Sequence, residues 1–295
     1  MDIKTALLEN AAKVEQALPA YLETPDPALE TLYDAMRYSA LGGGKRIRAF
    51  LVMEFCRLFG GTEEAALPFA CAMECVHASS LIHDDMPCMD NDDYRRGKLT
   101  NHKVYGDNIA LLAGDALITK GYEIAASNPA VSWASALAGA KTILRYAGGE
   151  GMMGGQEIDL LAEKKAPDFP LLLKMHAKKT GALIRASAML GCHAAGIVNE
   201  NDSRIADASV YAAGIGLAFQ IIDDILDVEG DAAVLGKATH ADAKEGKTTF
   251  LSFMDVPAAR RYAQVETDKA IAAIGEYPGS ATLIELARYL LARDH

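Results

Sequence analysis

Between Leu81 and Lys98 the chain reads LIHDDMPCMDNDDYRRGK, with five aspartates in the ten positions from Asp84 to Asp93 and Arg95 and Arg96 directly after them. A second carboxylate set, FQIIDDILD from Phe219 to Asp227, sits in an otherwise apolar stretch. At about 100° per residue, a helix places Gln220, Asp223, Asp224 and Asp227 on one face. Unpaired carboxylates on a buried helix are costly, so something cationic should meet them. Taken alone, the later set reads equally well as a solvated helix end. Clustered oxygen ligands suit Mg2+ or Ca2+, whereas zinc would want His and Cys. A calcium loop starting at Asp90 would need Gly at its sixth position and Glu at its twelfth, where the chain has Arg95 and Asn101. Mg2+ keeps several waters and is held by one or two carboxylates together with substrate phosphates, so two facing sets point to a Mg–diphosphate clamp.

The cationic residues fit that chemistry. A guanidinium fork matches a phosphate edge, and adjacent side chains diverge, so Arg95 and Arg96 could serve two phosphate groups. On its own the pair could merely neutralise Asp92 and Asp93 at the surface. In LGGGKRIRAF, Lys45, Arg46 and Arg48 follow three glycines at an expected helix start, where free N–H groups favour an anion. It is not a Walker A loop, because Arg46 follows the lysine and Ser39 stands where the first glycine belongs. His77 lies seven residues before Asp84, on roughly the same helix face. KKTGALIR adds Lys179 and Thr180, and GKATHADAKEGKT adds Lys237 and Lys247. Each of these is by default an ordinary core histidine or surface lysine.

The elements that must carry these residues are helical. Helix formers recur at three and four residue intervals through Leu29–Leu41, Ile47–Phe59, Ala65–His83, Asn108–Ala126 and Val131–Tyr146. The pattern resumes in Phe169–Ala194, Ser203–Val228, Ala258–Ile274 and Ala281–Ala292, and the N-terminus reads as a first helix. Strand signals are absent, and the Gly and Pro breaks are too short for interdomain linkers. The expectation is one all-α domain over residues 1–295, of about ten helices, several apolar all round and central.

Composition sets further bounds. Of 295 residues, 51% are apolar, enough for a sizeable core, and the net charge of −11 argues against nucleic-acid binding by general charge attraction. The N-terminus lacks the basic start and apolar core of a signal peptide. The apolar run Ala208–Ile222 is too short and too interrupted for a membrane span. Five cysteines without a CxxC pair suggest reduced thiols, and the expected location is cytoplasmic.

Taken in order, GGGKRIR, ECVHASSLIHDDMPCMDNDDYRRGK, GGQEIDL, KKTGALI, FQIIDDILD and GKATHADAKEGKT resemble the trans-prenyl diphosphate synthase family from about Gly43 onward. The resemblance implies an isoprenoid-synthase-type helical bundle around a central cavity, and condensation of isopentenyl diphosphate with allylic prenyl diphosphates by Mg2+-assisted ionisation. It implies three Mg2+, with Asp84 and Asp90 holding two, Asp85 supporting, and Asp223 holding a third with Asp227 nearby. Arg95, Lys179, Thr180, Gln220, Lys237 and Lys247 are assigned to the allylic diphosphate. Lys45, Arg48, His77 and Arg96 are assigned to isopentenyl diphosphate, Gln156 and Asp159 to the cavity wall, and Arg293 to a tail that closes over the site. A homodimer is implied as well. DDMPCMD has the longer first-motif spacing of bacterial farnesyl and plant-type geranylgeranyl diphosphate synthases. Ideal helical spacing would turn Asp90 away from Asp84, so Pro87 should break the helix and let Asp90 fold back.

The residue five before the first Asp often acts as the floor for the growing chain, and bacterial farnesyl synthases commonly carry an aromatic there. Here it is Ser79, followed downward by Val76, Cys75, Ala72 and Cys71, all of modest size. One helical turn, about 5.4 Å, is comparable to one isoprene unit, so losing an aromatic plug favours a C20 over a C15 product. A floor supplied by another helix is expected. Farnesyl diphosphate synthase is the alternative, followed by a longer-chain polyprenyl synthase. A terpene cyclase would carry an Asn/Ser/Glu metal motif in place of DDILD, and a non-catalytic synthase subunit would have lost Asp or basic residues that are all present. Ser79→Tyr should shorten the product, read by reverse-phase thin-layer chromatography; an unchanged chain length would refute the floor argument.

Overall fold

The computed structural model describes residues 2–24, 26–162, 166, 168–229 and 248–293. They are almost wholly helical and gather into two compact units, one of residues 1–141 with 193–198 and one of residues 142–192 with 199–295.

The first unit holds α1 (Ile3–Tyr21), α2 (Glu30–Ala40), α3 (Ile47–Leu58), α4 (Glu63–Asp84), α5 (Asn101–Tyr105), α6 (Asp107–Ala126) and the N-terminal part of α7 (Trp133–Ala147), through Lys141. Helix α4 carries the first aspartates at its C-terminal end. Its N-terminus is fixed by Thr62, whose hydroxyl accepts the Ala65 N–H, while Glu63 and Glu64 favour the positive end of the helix dipole. Along its length α4 packs on α6, and two glycines permit the close approach. A Cβ on Gly121 would lie 2.6 Å from Val76 and 2.8 Å from the Ala72 carbonyl, and one on Gly114 would overlap the His83 ring.

Beyond Asp84 the chain makes the one strand pair among the described residues, which sequence patterning did not indicate. β1 (Tyr94–Arg95) pairs antiparallel with β2 (Lys98–Leu99) across Arg96 and Gly97, both at positive φ (53° and 75°). Positive φ at both central residues is the signature of a tight two-residue hairpin, and two-residue strands are too short to leave an alternation in sequence.

The second unit holds the rest of α7, α8 (Met152–Ala162), α9 (Phe169–Lys179), nearly all of α10 (Gly181–Ala194), α11 (Ser203–Glu229), α12 (Val256–Ile274) and α13 (Ala281–Leu291). The expected single helix over 169–194 is two, separated at Thr180 ahead of Gly181. Helix α11 carries the second aspartates. It is clamped by α12, where a Cβ on Gly214 would meet the Glu266 carbonyl at 2.6 Å, and by a bond from the buried Tyr211 hydroxyl to the Leu283 carbonyl of α13. Its C-terminal half packs with Phe250, Ala259 and Ala263.

Helices α4 and α11 are both long and apolar enough to cross a bilayer by length and composition, yet 78% and 56% of their apolar windows are buried within the structure. Both also carry acids in their interiors, as core helices can when a partner is supplied. In α4 that acid is Glu74, 2% exposed, bonded by Arg46 Nη1 at 2.9 Å and by the Ala49 N–H at 3.2 Å. Glu74→Ala would take the close carboxylate from a buried guanidinium, leaving it the Ala40 carbonyl and Glu15 at 3.8 Å, and should lower unfolding free energy by about 3 kcal/mol in urea titration.

Candidate active site

In the first unit the helix break at Pro87 does what the spacing requires. The chain turns after Asp84, and the Asp90 N–H donates to the Asp84 carbonyl at 2.9 Å, bringing the backbone of Asp90 back beside that of Asp84. Asp85 lies on the inward side, almost fully buried, and Arg95 donates to both of its carboxylate oxygens, its Nε at 2.8 Å from each. Burial raises the Asp85 carboxyl above its ordinary value, opposed by the Arg95 hydrogen bonds. A diphosphate reaching Arg95 must therefore share it with Asp85. Asp93 pairs with Lys103 at 2.7 Å, and Asp92 stands 3.8 Å from Arg95, so these two serve the local charge balance.

The hairpin turn sends Arg96 away from Arg95. Its guanidinium donates to the Gly43 carbonyl and lies over Gly44, where a Cβ would be 2.8 Å from Cζ. Gly44 has φ +120°, so the close contact and the backbone both call for glycine. The next residues divide by job. Arg46 turns inward to Glu74 from a left-handed conformation, whereas Arg48, in the first turn of α3, meets His77 of α4 with 3.3 Å between Nη1 and Nε2. Burial, then Arg48 and the neighbouring arginines, hold His77 neutral by pushing its pKa well below the usual range. Burial brings Arg48 down to about 10. A guanidinium only donates, so His77 Nε2 accepts and Nδ1 carries the proton. Neither Nδ1 of His77 nor Nε of Arg48 has a partner. Half-buried Arg48 and His77, with exposed Arg96 beside them, thus form a donor set suited to an anion.

In the second unit a pocket of about 150 Å³ is lined by Asp159, His176, Lys179, Thr180, Gln220, Asp224, Thr248 and Thr249, among others. The glycine before Gln156 positions it: a Cβ on Gly155 would fall 2.1 Å from the Lys179 nitrogen, so α8 lies directly on α9. Lys179 reaches Asp159 at 2.6 Å, and the Thr180 hydroxyl reaches Gln220 at 3.3 Å. Gln156 keeps a buried Nε2 without a partner. His176, Thr248 and Thr249 were not singled out in sequence. His176 was legible as the residue three before Lys179 on the same helix, but the threonines enter the pocket only through folding. Lys237 and Lys247 lie outside the described residues.

The aspartates of α11 have three different environments. Asp224 is buried and accepts the Phe250 N–H at 2.8 Å and the Gln220 amide at 3.3 Å. Asp223 is partly exposed and meets Arg293 at 2.7 Å. Asp227 is buried with Oδ1 lacking a partner. Among the described residues no three acids or histidines are gathered as a ready-made cation cage. The donors nevertheless fit Mg2+: carboxylates only, an orphaned buried oxygen at Asp227, and an exposed Asp223, for an ion that completes its shell with water and phosphate.

Residues 29–277 match the family model described as polyprenyl synthetase. The chain belongs to the polyprenyl synthetase family. It is 43% identical to a dimethylallyltranstransferase of Fischerella ambigua over 98% of this chain and 83% of that one. It is 40% identical to a geranylgeranyl diphosphate synthase of Cyanophora paradoxa over 100% and 97%. A crystal structure of an FPP/GFPP synthase from Zymomonas mobilis superposes with a TM-score of 0.88 at 38% identity, covering 98% of this chain and 99% of that one. The all-α architecture is therefore that of the isoprenoid synthases, and the polyprenyl synthetase is a prenyltransferase, of a family that acts on isopentenyl and allylic diphosphates.

The same site has a pH signature. His176, stacked on Phe250 at 5.3 Å, is pushed down by burial from 6.5 to about 4. Between those values the unfolded chain binds a proton that the folded one refuses, so this group lowers stability as pH falls from 6.5 toward 4. In urea titrations across that range, His176→Asn should lose stability less steeply than wild type.

Proposed function

We propose that this prenyltransferase is a geranylgeranyl diphosphate synthase, adding isopentenyl diphosphate to allylic diphosphates up to C20. The observation that carries the product assignment is the small residue Ser79, buried on α4 at 1% exposure and followed by the equally buried Val76, Cys75, Ala72 and Cys71. No bulky ring occupies that position. The close crossing of α6 at Gly121 supports a floor at the level of Val76 and Ala72, two to three turns below Asp84. Farnesyl diphosphate synthase is the second reading, kept open because Pro87 and the longer spacing of DDMPCMD, shared by both kinds of synthase, also shape the pocket.

In this reading Asp84, Asp90 and Asp223 hold three Mg2+, with Asp85 and Asp227 in support. When bound, Mg2+ stabilises the negative charge of the departing diphosphate. Arg95, Lys179, Thr180 and Gln220, with Lys237 and Lys247, bind the allylic diphosphate and stabilise charge on its leaving oxygen. Lys45, Arg48, His77 and Arg96 hold isopentenyl diphosphate, so that its double bond attacks the allylic cation. A proton then leaves to the released diphosphate, and no protein nucleophile is required. The unpartnered His77 Nδ1 and Arg48 Nε support the second diphosphate site, since an arriving anion would complete both. Residues 1–295 act as one synthase domain in this reading. A homodimer is included, supported by Leu111, Leu112, Trp133 and Leu137, which stand exposed on α6 and α7.

Asp84→Ala and Asp223→Ala should each lower turnover by orders of magnitude in a radiolabelled condensation assay while far-ultraviolet circular dichroism stays native. Near wild-type turnover in either variant would overturn the assignment of that aspartate. Thin-layer chromatography of the wild-type product decides between C20 and C15.

A further inference from the structure

The contact between Asp223 and Arg293 stands apart from the other ion pairs of the second unit. Arg293 lies two residues beyond α13, and its Nη2 donates to both Asp223 Oδ1 and the Phe219 carbonyl, each at 2.7 Å. Its guanidinium carbon sits 3.7 Å over the centre of the Phe219 ring, so two acceptors and one aromatic face hold a charge that is only 7% exposed. The grip is incomplete, because Arg293 Nε is buried without a partner. Asp223, by contrast, is 41% exposed and remains approachable by solutes.

We propose that Arg293 is a stand-in cation at Asp223: it neutralises the carboxylate in the metal-free protein and weakens divalent-cation binding there until a diphosphate brings further negative charge. Oδ1 cannot serve the guanidinium and a metal equally, and the two cations repel at this range. The diphosphate removes the conflict by adding acceptor oxygens for both. Metal and diphosphate therefore bind with positive coupling, and by linkage the metal weakens the hold of Asp223 on Arg293. Arg293 acts through Asp223 and is a positioning residue. The proposal rests on the metal reading of Asp223.

The test uses Mn2+ as a paramagnetic probe on the full chain, with and without inorganic pyrophosphate, in wild type, Arg293→Gln, Arg293→Lys and Asp223→Asn. Asp223→Asn should abolish one Mn2+ site, which identifies it. At that site Arg293→Gln should bind Mn2+ about tenfold more tightly than wild type without pyrophosphate, and should show a smaller pyrophosphate enhancement than wild type, retaining the part due to direct ligation of Mn2+ by phosphate oxygens. Arg293→Lys, which keeps the charge, should stay within about threefold of wild type. Unchanged or weaker Mn2+ binding in Arg293→Gln, where Asp223→Asn has removed a site, overturns the role of Arg293 alone. Mn2+ binding indifferent to Asp223→Asn overturns the metal reading and this proposal with it. In wild type, hydrogen exchange at Ala292 and Arg293 should quicken when Mn2+ and pyrophosphate are added together. Unaltered exchange there would also overturn the proposal.

Discussion

A carboxylate carried on a buried helix has to find its counter-charge or its donors inside the protein, and each unit is organised by the way that demand is met. Glu74 on α4 takes Arg46 and the Ala49 N–H, which pins the glycine loop and the start of α3 to the middle of α4. Asp85 takes both near nitrogens of Arg95, which fastens the hairpin to the end of the same helix. In the second unit Asp159 takes Lys179, Asp224 takes the Phe250 N–H, and Asp223 takes Arg293. The loss of either partner strands a charge or a polar group in a medium that solvates it poorly, so these bonds act as fasteners as well as charge balance.

The same economy shapes the chemistry. Several residues assigned to diphosphate are already engaged within the protein: Arg95 with Asp85, Lys179 with Asp159, and Thr180 with Gln220. Under the proposed assignment an incoming anion would join these pairs and need not assemble a site from free side chains, so the cations would be oriented before substrate arrives. The atoms left without partners mark where the arrangement is unfinished. They include Arg48 Nε, His77 Nδ1, Gln156 Nε2 and Asp227 Oδ1, three on the donor side suited to phosphate oxygens and one acceptor suited to a cation.

Much of the molecule was legible in its residues because the signals are local. Most helix limits follow from 3.6-residue periodicity and from Gly and Pro punctuation, and α2, α3, α4 and α11 fall within two residues of expectation at each end. Pro87 announced the return of Asp90 to Asp84 because its ring geometry acts on its immediate neighbours. The hairpin at Tyr94–Leu99 went unseen, since two-residue strands carry no alternation, and so did the division of residues 169–194 at Thr180, where the helical pattern runs on across the break. On α11, spacing placed three aspartates on one face but could not tell exposed Asp223 from buried Asp224 and Asp227.

The sequence by itself determined the all-helical class and the family, and it supplied the residues proposed for metal and diphosphate, because these depend on residue type and short-range spacing. Tertiary structure alone decided which charge each residue meets. Arg46 turns inward to Glu74 while Arg48, two positions later, reaches His77. Arg95 and Arg96 part at a hairpin turn, and Asp223 is joined by an arginine seventy residues away. Such pairings depend on how helices distant in sequence cross, and on where glycines such as Gly121 and Gly155 let backbones come close. No local pattern encodes those crossings, since the partner of each group lies tens of residues away.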